Sequence, residues 1–230
     1  HYTDPNLFPA FNNSTTQLKI MLKIKSLTLG PVQTNTYILA DTESNEAIVV
    51  DPSWDGAEIA KAAEKEGWHI KEIWLTHAHF DHIGGIAELV KSLPETPPIY
   101  LHTDDYDLWK DGGGAKRFGF SIDPGPKPEA LTHGQFLRVG NFTFEARHTP
   151  GHRPGHCVFF CADTGILFSG DLIFYRSVGR TDLPGGNWAT LEKSIREQIY
   201  TLPNNIRIFS GHGDETSVGD EKENNHFIKG

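Results

Sequence analysis

The run Thr76–His77–Ala78–His79–Phe80–Asp81–His82 puts three imidazoles and a carboxylate into one short segment. Imidazole suits borderline metals such as zinc and iron, and a carboxylate adds charge. Holding these groups side by side is unfavourable unless a cation sits among them. In an extended turn His77 and His79 face one way and can serve one ion, while Asp81 and His82 turn toward a second. The segment Glu72–Ile73–Trp74–Leu75–Thr76 immediately before the histidines reads as a buried strand. Ligand sites of α/β sheets lie just outside the carboxyl ends of strands.

The same arrangement recurs three times downstream. Thr149–Pro150–Gly151–His152 follows an apolar-patterned strand at Phe142–Arg147, Ser169–Gly170–Asp171 follows Ile166–Phe168, and Ser210–Gly211–His212 follows Ile206–Phe209. A glycine beside each ligand-type residue permits a tight turn and close backbone approach. Singly, a His-x-His pair is incidental and an Asp after Gly is a turn residue. Together, His77, His79, Asp81, His82, His152, Asp171 and His212 point to a metal site. His148 reads as packing or as support for the ligands, and His156 as the start of a strand. His69, His102, His133 and His226 lie in no motif and read as structural or surface residues.

The rest of the chain supplies a scaffold. Leu22–Leu29 alternates apolar and polar, Asn35–Ala40 and Ala47–Val50 are apolar runs, and the polar 41–45 stretch makes a hairpin between them. Asp55 is placed to cap a helix reaching about Glu66, with Gly67 as its stop. A second helix is predicted over 85–93 and a strand over Pro97–Leu101. Residues 111–128, with Gly112–Gly113–Gly114 and three prolines, form a long irregular segment, a candidate mobile loop over the site. Four short strands (136–139, 142–148, 156–162, 166–169), an amphipathic helix over Trp188–Tyr200 and a strand at 206–209 complete the pattern. The order β-rich, α, β-rich, α suggests two similar halves packed as an αββα sandwich.

The 230 residues suit one α/β domain. We take 21–230 as that domain and 1–20, polar and aperiodic, as a leader or flexible extension. A net charge of −9 argues against a nucleic-acid partner bound through basic patches. No apolar run reaches the roughly 18 residues of a membrane span, and no secretory signal pattern is present. Cys157 and Cys161, four apart in one apolar run, share a strand face as small buried hydrophobes. A reducing cytoplasm fits them.

On these motifs the chain resembles the metallo-β-lactamase-fold superfamily. Thr76–His82 matches its signature, and His152, Asp171 and His212 follow in the expected order. Within the superfamily the chain is similar to short members of the glyoxalase II (hydroxyacylglutathione hydrolase) group, through His148–His152, Ser169–Phe174 and Gly179–Arg180–Thr181–Asp182. Full-length glyoxalase II proteins carry a further helical domain, whereas 18 residues follow His212 here. The resemblance implies a four-layer αββα sandwich of the metallo-β-lactamase type. It assigns His77, His79 and His152 to one divalent ion, Asp81, His82 and His212 to a second, and Asp171 to both. Zinc is the first choice of ion, with iron or manganese as alternatives.

The implied activity is hydrolysis of an activated carbonyl by a hydroxide that two ions generate. Asp81 and Asp171 are the catalytic carboxylates, and a small-molecule thioester such as S-lactoylglutathione is the substrate. A thiol leaves without a strong general acid. Tyr175, Arg176 and Arg180, just past Asp171, are candidate substrate contacts, although a local ion pair within Gly179–Asp182 is the plainer role for Arg180. Rival readings are a lactone hydrolase or promiscuous β-lactamase-like enzyme, a persulfide dioxygenase with one iron, a phosphodiesterase, and an inactive metal-binding scaffold. The oligomeric state, monomer or homodimer, is open at this level.

Overall fold

The computed structural model describes residues 21–230; the expected leader at 1–20 lies outside them. The chain opens with the antiparallel strands β1 (Leu22–Leu29), β2 (Thr34–Asp41) and β3 (Glu46–Val50). Helix α1 (Gly56–Lys65) then leads into β4 (His69–Trp74), which runs parallel to β3. The short α2 (Phe80–Ile83) and α3 (Ile86–Ser92) precede β5 (Ile99–His102), α4 (Tyr106–Lys110) and β6 (Glu129–Leu131). These six strands form one sheet in sequence order.

The second half repeats the scheme. Strands β7 (Gln135–Val139), β8 (Phe142–His148), β9 (Cys157–Cys161) and β10 (Ile166–Gly170) make an antiparallel meander. A two-stranded hairpin, β11 (Ile173–Phe174) and β12 (Ser177–Val178), follows. Helix α5 (Trp188–Ser194) continues through a π-helical turn at Ile195–Ile199. Then come β13 (Arg207–Ser210), parallel to β10, β14 (Thr216–Ser217) and α6 (Val218–Asn224). The second sheet runs β14-β13-β10-β9-β8-β7.

The period-two alternation of strand side chains sorts residues into layers. Tyr37, Leu39, Ile48, Val50 and Trp74 face Phe144, Phe159, Phe168 and Phe209 in one buried cluster between the sheets. Their neighbours Ile38, Ala40, Val49 and Ile73 face outward onto Ile59, Ile86 and Leu89 of the helices. On the other sheet Val158, Leu167 and Ile208 meet Leu191, Ile195 and Val218. The result is the αββα sandwich. Sheets covered on both faces explain why β2 and β9 read as continuous apolar runs rather than alternating ones.

Three local expectations change. Asp55 holds the N-terminal position of α1, but its backbone is left-handed (φ 47°) and its side chain makes no cap. Asp81 and His82 sit in the helical turn α2, not in an extended loop. The 111–128 segment is strapped down: Phe80 donates its N–H to Gly113 O (3.1 Å), and its ring lies 5.1 and 5.5 Å from Phe118 and Phe120. Gly113 has φ +69°, and a Cβ there would overlap the Phe80 backbone, so glycine is required for this approach.

Candidate metal centre

The six loops that shape the site follow β3, β4, β5, β8, β10 and β13, all at carboxyl ends. Parallel alignment within each sheet brings these ends to one edge of the sandwich. The seven sequence-predicted residues meet there. His77 Nε2, His79 Nδ1 and His152 Nε2 lie 2.9–3.3 Å from one another. Beside them, Asp81 Oδ2 is 3.5 Å from His82 Nε2 and 3.3 Å from His212 Nε2. Asp171 stands between the two groups. Its Oδ1 is 3.3 Å from His82 Nε2, and its Oδ2 is 3.6 Å from both His152 Nε2 and His212 Nε2. Gly211 makes this crowding possible, because a Cβ there would collide with the Asp171 carboxylate.

The outer hydrogen bonds fix which nitrogens carry protons. Thr76 Oγ1 donates to Asp51 Oδ2 (2.6 Å), so it accepts from His77 Nδ1–H (3.0 Å). His82 Nδ1–H donates to Asp51 Oδ2 (2.9 Å), and His152 Nδ1–H donates to Arg180 O (2.8 Å). In neutral rings the inward nitrogens therefore present lone pairs, facing each other and two carboxylates. His82 Nε2 and Asp171 Oδ1 are buried with no hydrogen-bond partner among the described residues. A convergence of acceptors with orphaned buried atoms is what a cation site requires, and the donor set of imidazole and carboxylate suits a divalent transition ion.

The electrostatics agree. Burial, aided by the surrounding imidazoles, pushes His77 and His79 well below the usual value, and burial also lowers His152. These rings are neutral at pH 7, the form that ligates. Burial opposes charge on His82 and His212 too, but carboxylates win. Asp171, Asp81 and Asp51 hold His82 well above the usual value, and hydrogen bonds to Asp171 and Asp81 push His212 up to about 9. Burial would raise Asp81, yet His82 and His212 bring it down to about 2. The Asp81–Asp171 side of the cluster attracts positive charge.

Three supporting residues escaped the sequence reading. Asp51, left-handed at φ 49°, accepts from Thr76 N–H (2.7 Å), Thr76 Oγ1 and His82 Nδ1, and so orients two ligands. Buried Asp105 accepts from Ala78 N–H (2.9 Å), Gly155 N–H (3.1 Å) and Arg153 Nε (3.3 Å), joining the His77–His79 loop to the His152 loop. His156, read as a strand start, accepts the Asp171 N–H at Nε2 (3.2 Å) while its Nδ1 meets Thr149 Oγ1 (2.9 Å). The only sequence signal for the two aspartates is that each lies just beyond a strand.

The candidate substrate contacts are placed differently from the ligands. Arg176 pairs with Asp220 (3.2 Å) and stacks 5.0 Å from the exposed Tyr175 ring. Arg180 forms a two-pronged pair with Asp182 (2.7 and 2.8 Å), and what it gives the centre is its carbonyl on His152. Both guanidinium groups are paired with carboxylates close by. Phe174 packs edge-on against His212, 5.9 Å between centroids.

A model of the metallo-beta-lactamase superfamily matches residues 29–212. The chain belongs to that superfamily. It is 32% identical to the hydroxyacylglutathione hydrolase GloC of Haemophilus influenzae, over 90% of this chain and 98% of that one. Among solved structures it is similar to the B3 metallo-beta-lactamase BLEG-1, with 37% identity and a TM-score of 0.85 over 90% of this chain and all (100%) of that one. It is also similar to TTHA1623 in a di-iron-bound form, with 36% identity, a TM-score of 0.80, and 89% and 100% coverage. These matches support a metal-dependent hydrolase.

A superfamily member with this cluster is expected to be stabilised by its ions. Chelation should lower the melting temperature reversibly, and re-addition of zinc, manganese or iron(II) should restore it. At an ion concentration about a thousand times the dissociation constant, binding adds about 4 kcal/mol. Calorimetry with and without chelator checks this; an unchanged melting temperature would contradict a metal site here.

Proposed function

We propose that this chain hydrolyses small-molecule thioesters of the hydroxyacylglutathione type at a centre of two divalent cations. His77, His79 and His152 would hold one, Asp81, His82 and His212 the other, and Asp171 both. The position of the Asp171 carboxylate, within 3.6 Å of ring nitrogens from both groups, carries this reading. Zinc is our first choice, and the di-iron form of TTHA1623 keeps iron close behind. When bound, such a pair supplies Lewis acidity and brings the pKa of a water from about 15.7 toward ~7.

The chain's own groups do the rest. The Asp81 carboxylate, steadied at Oδ2 by the Thr34 hydroxyl (3.0 Å), would orient the attacking water as well as hold its ion. Asp51, Asp105 and His156 keep the ligand loops in register. A thiol leaving group, with a pKa near ~8.5, departs without a general acid. The similarity to GloC supports the thioester, and the likeness to BLEG-1 favours β-lactam hydrolysis as a second reading. The acidic net charge of −9 supports a small molecule over nucleic acid as partner. No helix among the described residues is long and apolar enough to cross a membrane. We place the reaction in the cytoplasm.

Metal analysis of reconstituted protein should find about two ions per chain; fewer than one would contradict the shared-ligand assignment. A hydrolysis panel of S-lactoylglutathione, a homoserine lactone, a cephalosporin and a phosphodiester should favour the thioester. Activity on the phosphodiester alone would overturn the reading, and no hydrolysis at all would favour a scaffold.

A further inference from the structure

A cleft opens beside His79. Its far wall is the strapped segment after α4. Leu108, Phe118, Leu183 and Pro184 give it apolar sides, and two arginines, Arg117 and Arg153, reach into it. The arginines differ. Arg153 is tied to Asp105 and to the Pro184 carbonyl. Arg117 has no carboxylate within ion-pair distance among the described residues, whereas Arg176 and Arg180 each have one. The acidic residue in the cleft, Asp111, faces Lys116 at 3.8 Å, which offsets its charge. In a chain of net charge −9, a free guanidinium next to a catalytic centre is a selective feature.

The position is built rather than incidental. Gly112, Gly113 and Gly114 all have left-handed backbones (φ 68°, 69° and 73°), which folds the segment back against Phe80. Gly113 accepts the Phe80 N–H, and Phe80 also carries the Phe118 and Phe120 rings. Phe80 is sandwiched between the ligands His79 and Asp81 in sequence. The backbone that carries Arg117 is thus anchored beside the centre, through the residue that separates two of the candidate ligands and through its own N–H on Gly114 O (3.1 Å).

Resting on the thioester reading, we propose that Arg117 is the anion-binding subsite of this cleft. It would take a carboxylate at the end of one arm of the substrate, while the apolar walls take the methylene groups between carboxylate and thioester. A guanidinium offers a carboxylate two parallel N–H donors, which gives direction as well as attraction. The substrate class is a thioester bearing a free carboxylate.

The test pairs binding with turnover on the metal-loaded protein. Titration with S-methylglutathione, whose sulfur is blocked, is compared with titration by its diethyl ester, in which both carboxylates are neutral. The wild type should bind the acid at least fivefold more tightly, a preference that R117A abolishes, R117K partly restores and R117E reverses. The ratio of kcat/KM for S-lactoylglutathione to that for its diester should fall about five- to tenfold in R117A, chiefly through KM. Lys110→Ala, on the exposed side of α4, is the control and should change neither. Equal binding of acid and ester by the wild type, no binding of the acid, or R117A selectivity equal to wild type would each overturn the subsite. Thioester hydrolysis without acid preference would defeat this inference alone. Acid-selective binding without thioester hydrolysis would defeat the functional reading and leave the subsite standing.

Discussion

Asp171→Ala is expected to reduce hydrolysis by more than about a hundredfold and to lower the bound metal from about two ions per chain to one. Replacing residues that only support ligands costs 10–100-fold in such centres, and Asp171 contacts the ligand sets of both sites directly. Its Oδ2 is equidistant, at 3.6 Å, from a nitrogen of each set, and its Oδ1 faces His82 at 3.3 Å. Neighbouring carboxylates cannot substitute. Of the five imidazoles, Asp81 pairs with His82 and His212 alone, and Asp51 spends both oxygens on Thr76 and His82. The loss should be one of charge and ligation, not of fold. Asp171 lies in a loop whose backbone is held independently, by its own N–H on His156 and by the Gly211 N–H on Gly170 O (2.8 Å). The variant should therefore keep its circular dichroism spectrum, and its melting temperature should respond less to chelator than that of the wild type. Retention of both ions and of wild-type turnover would remove the shared-ligand role.

That these seven residues would meet is legible in the sequence because each carries its own local signal. His77, His79, Asp81 and His82 sit in one run, and His152, Asp171 and His212 each follow a short strand with a glycine adjacent. Strands with strong alternation were equally legible: Leu22–Leu29 and Phe142–His148 fall where the pattern puts them. What escaped has a common cause. Asp51 acts on residues 25 and 31 positions away, and Asp105 on residues 27, 48 and 50 away. A carboxylate after a strand is an ordinary turn residue until the sheet register brings a distant N–H to it. His156 was likewise hidden, since its partner Asp171 lies 15 residues on, across the β9–β10 hairpin. The arginines show the converse. Arg176 and Arg180 are close to Asp171 in sequence, but Asp220 and Asp182 claim their charges. Proximity along the chain puts them near Asp171, but their charges are already paired with carboxylates close by.

Asp105→Ala should be strongly destabilising, by about 3 kcal/mol. The residue is fully buried, and three donors depend on it: Ala78 N–H, Gly155 N–H and Arg153 Nε. Removal leaves two buried amides without acceptors, each worth ~1–3 kcal/mol, and a largely buried guanidinium without its counter-charge. Breaking a buried ion pair costs about 3–5 kcal/mol; the low end applies because Arg153 keeps the Pro184 carbonyl and an edge on the cleft. For a chain of this size about 3 kcal/mol corresponds to a fall of roughly 6–12 °C in melting temperature. Ala78 lies between His77 and His79, and Gly155 lies three residues beyond His152. Loss of the shared acceptor therefore uncouples the two loops that bring the three imidazoles together, and metal affinity should drop about 10–100-fold. Asp105→Asn separates the effects. Its amide oxygen can still accept from Ala78 N–H, but it carries no charge for Arg153, so it should lose more stability than metal affinity. If Asp105→Ala lowered stability yet bound both ions as tightly as the wild type, the carboxylate would be a packing anchor and the loops would be positioned by the sheets alone.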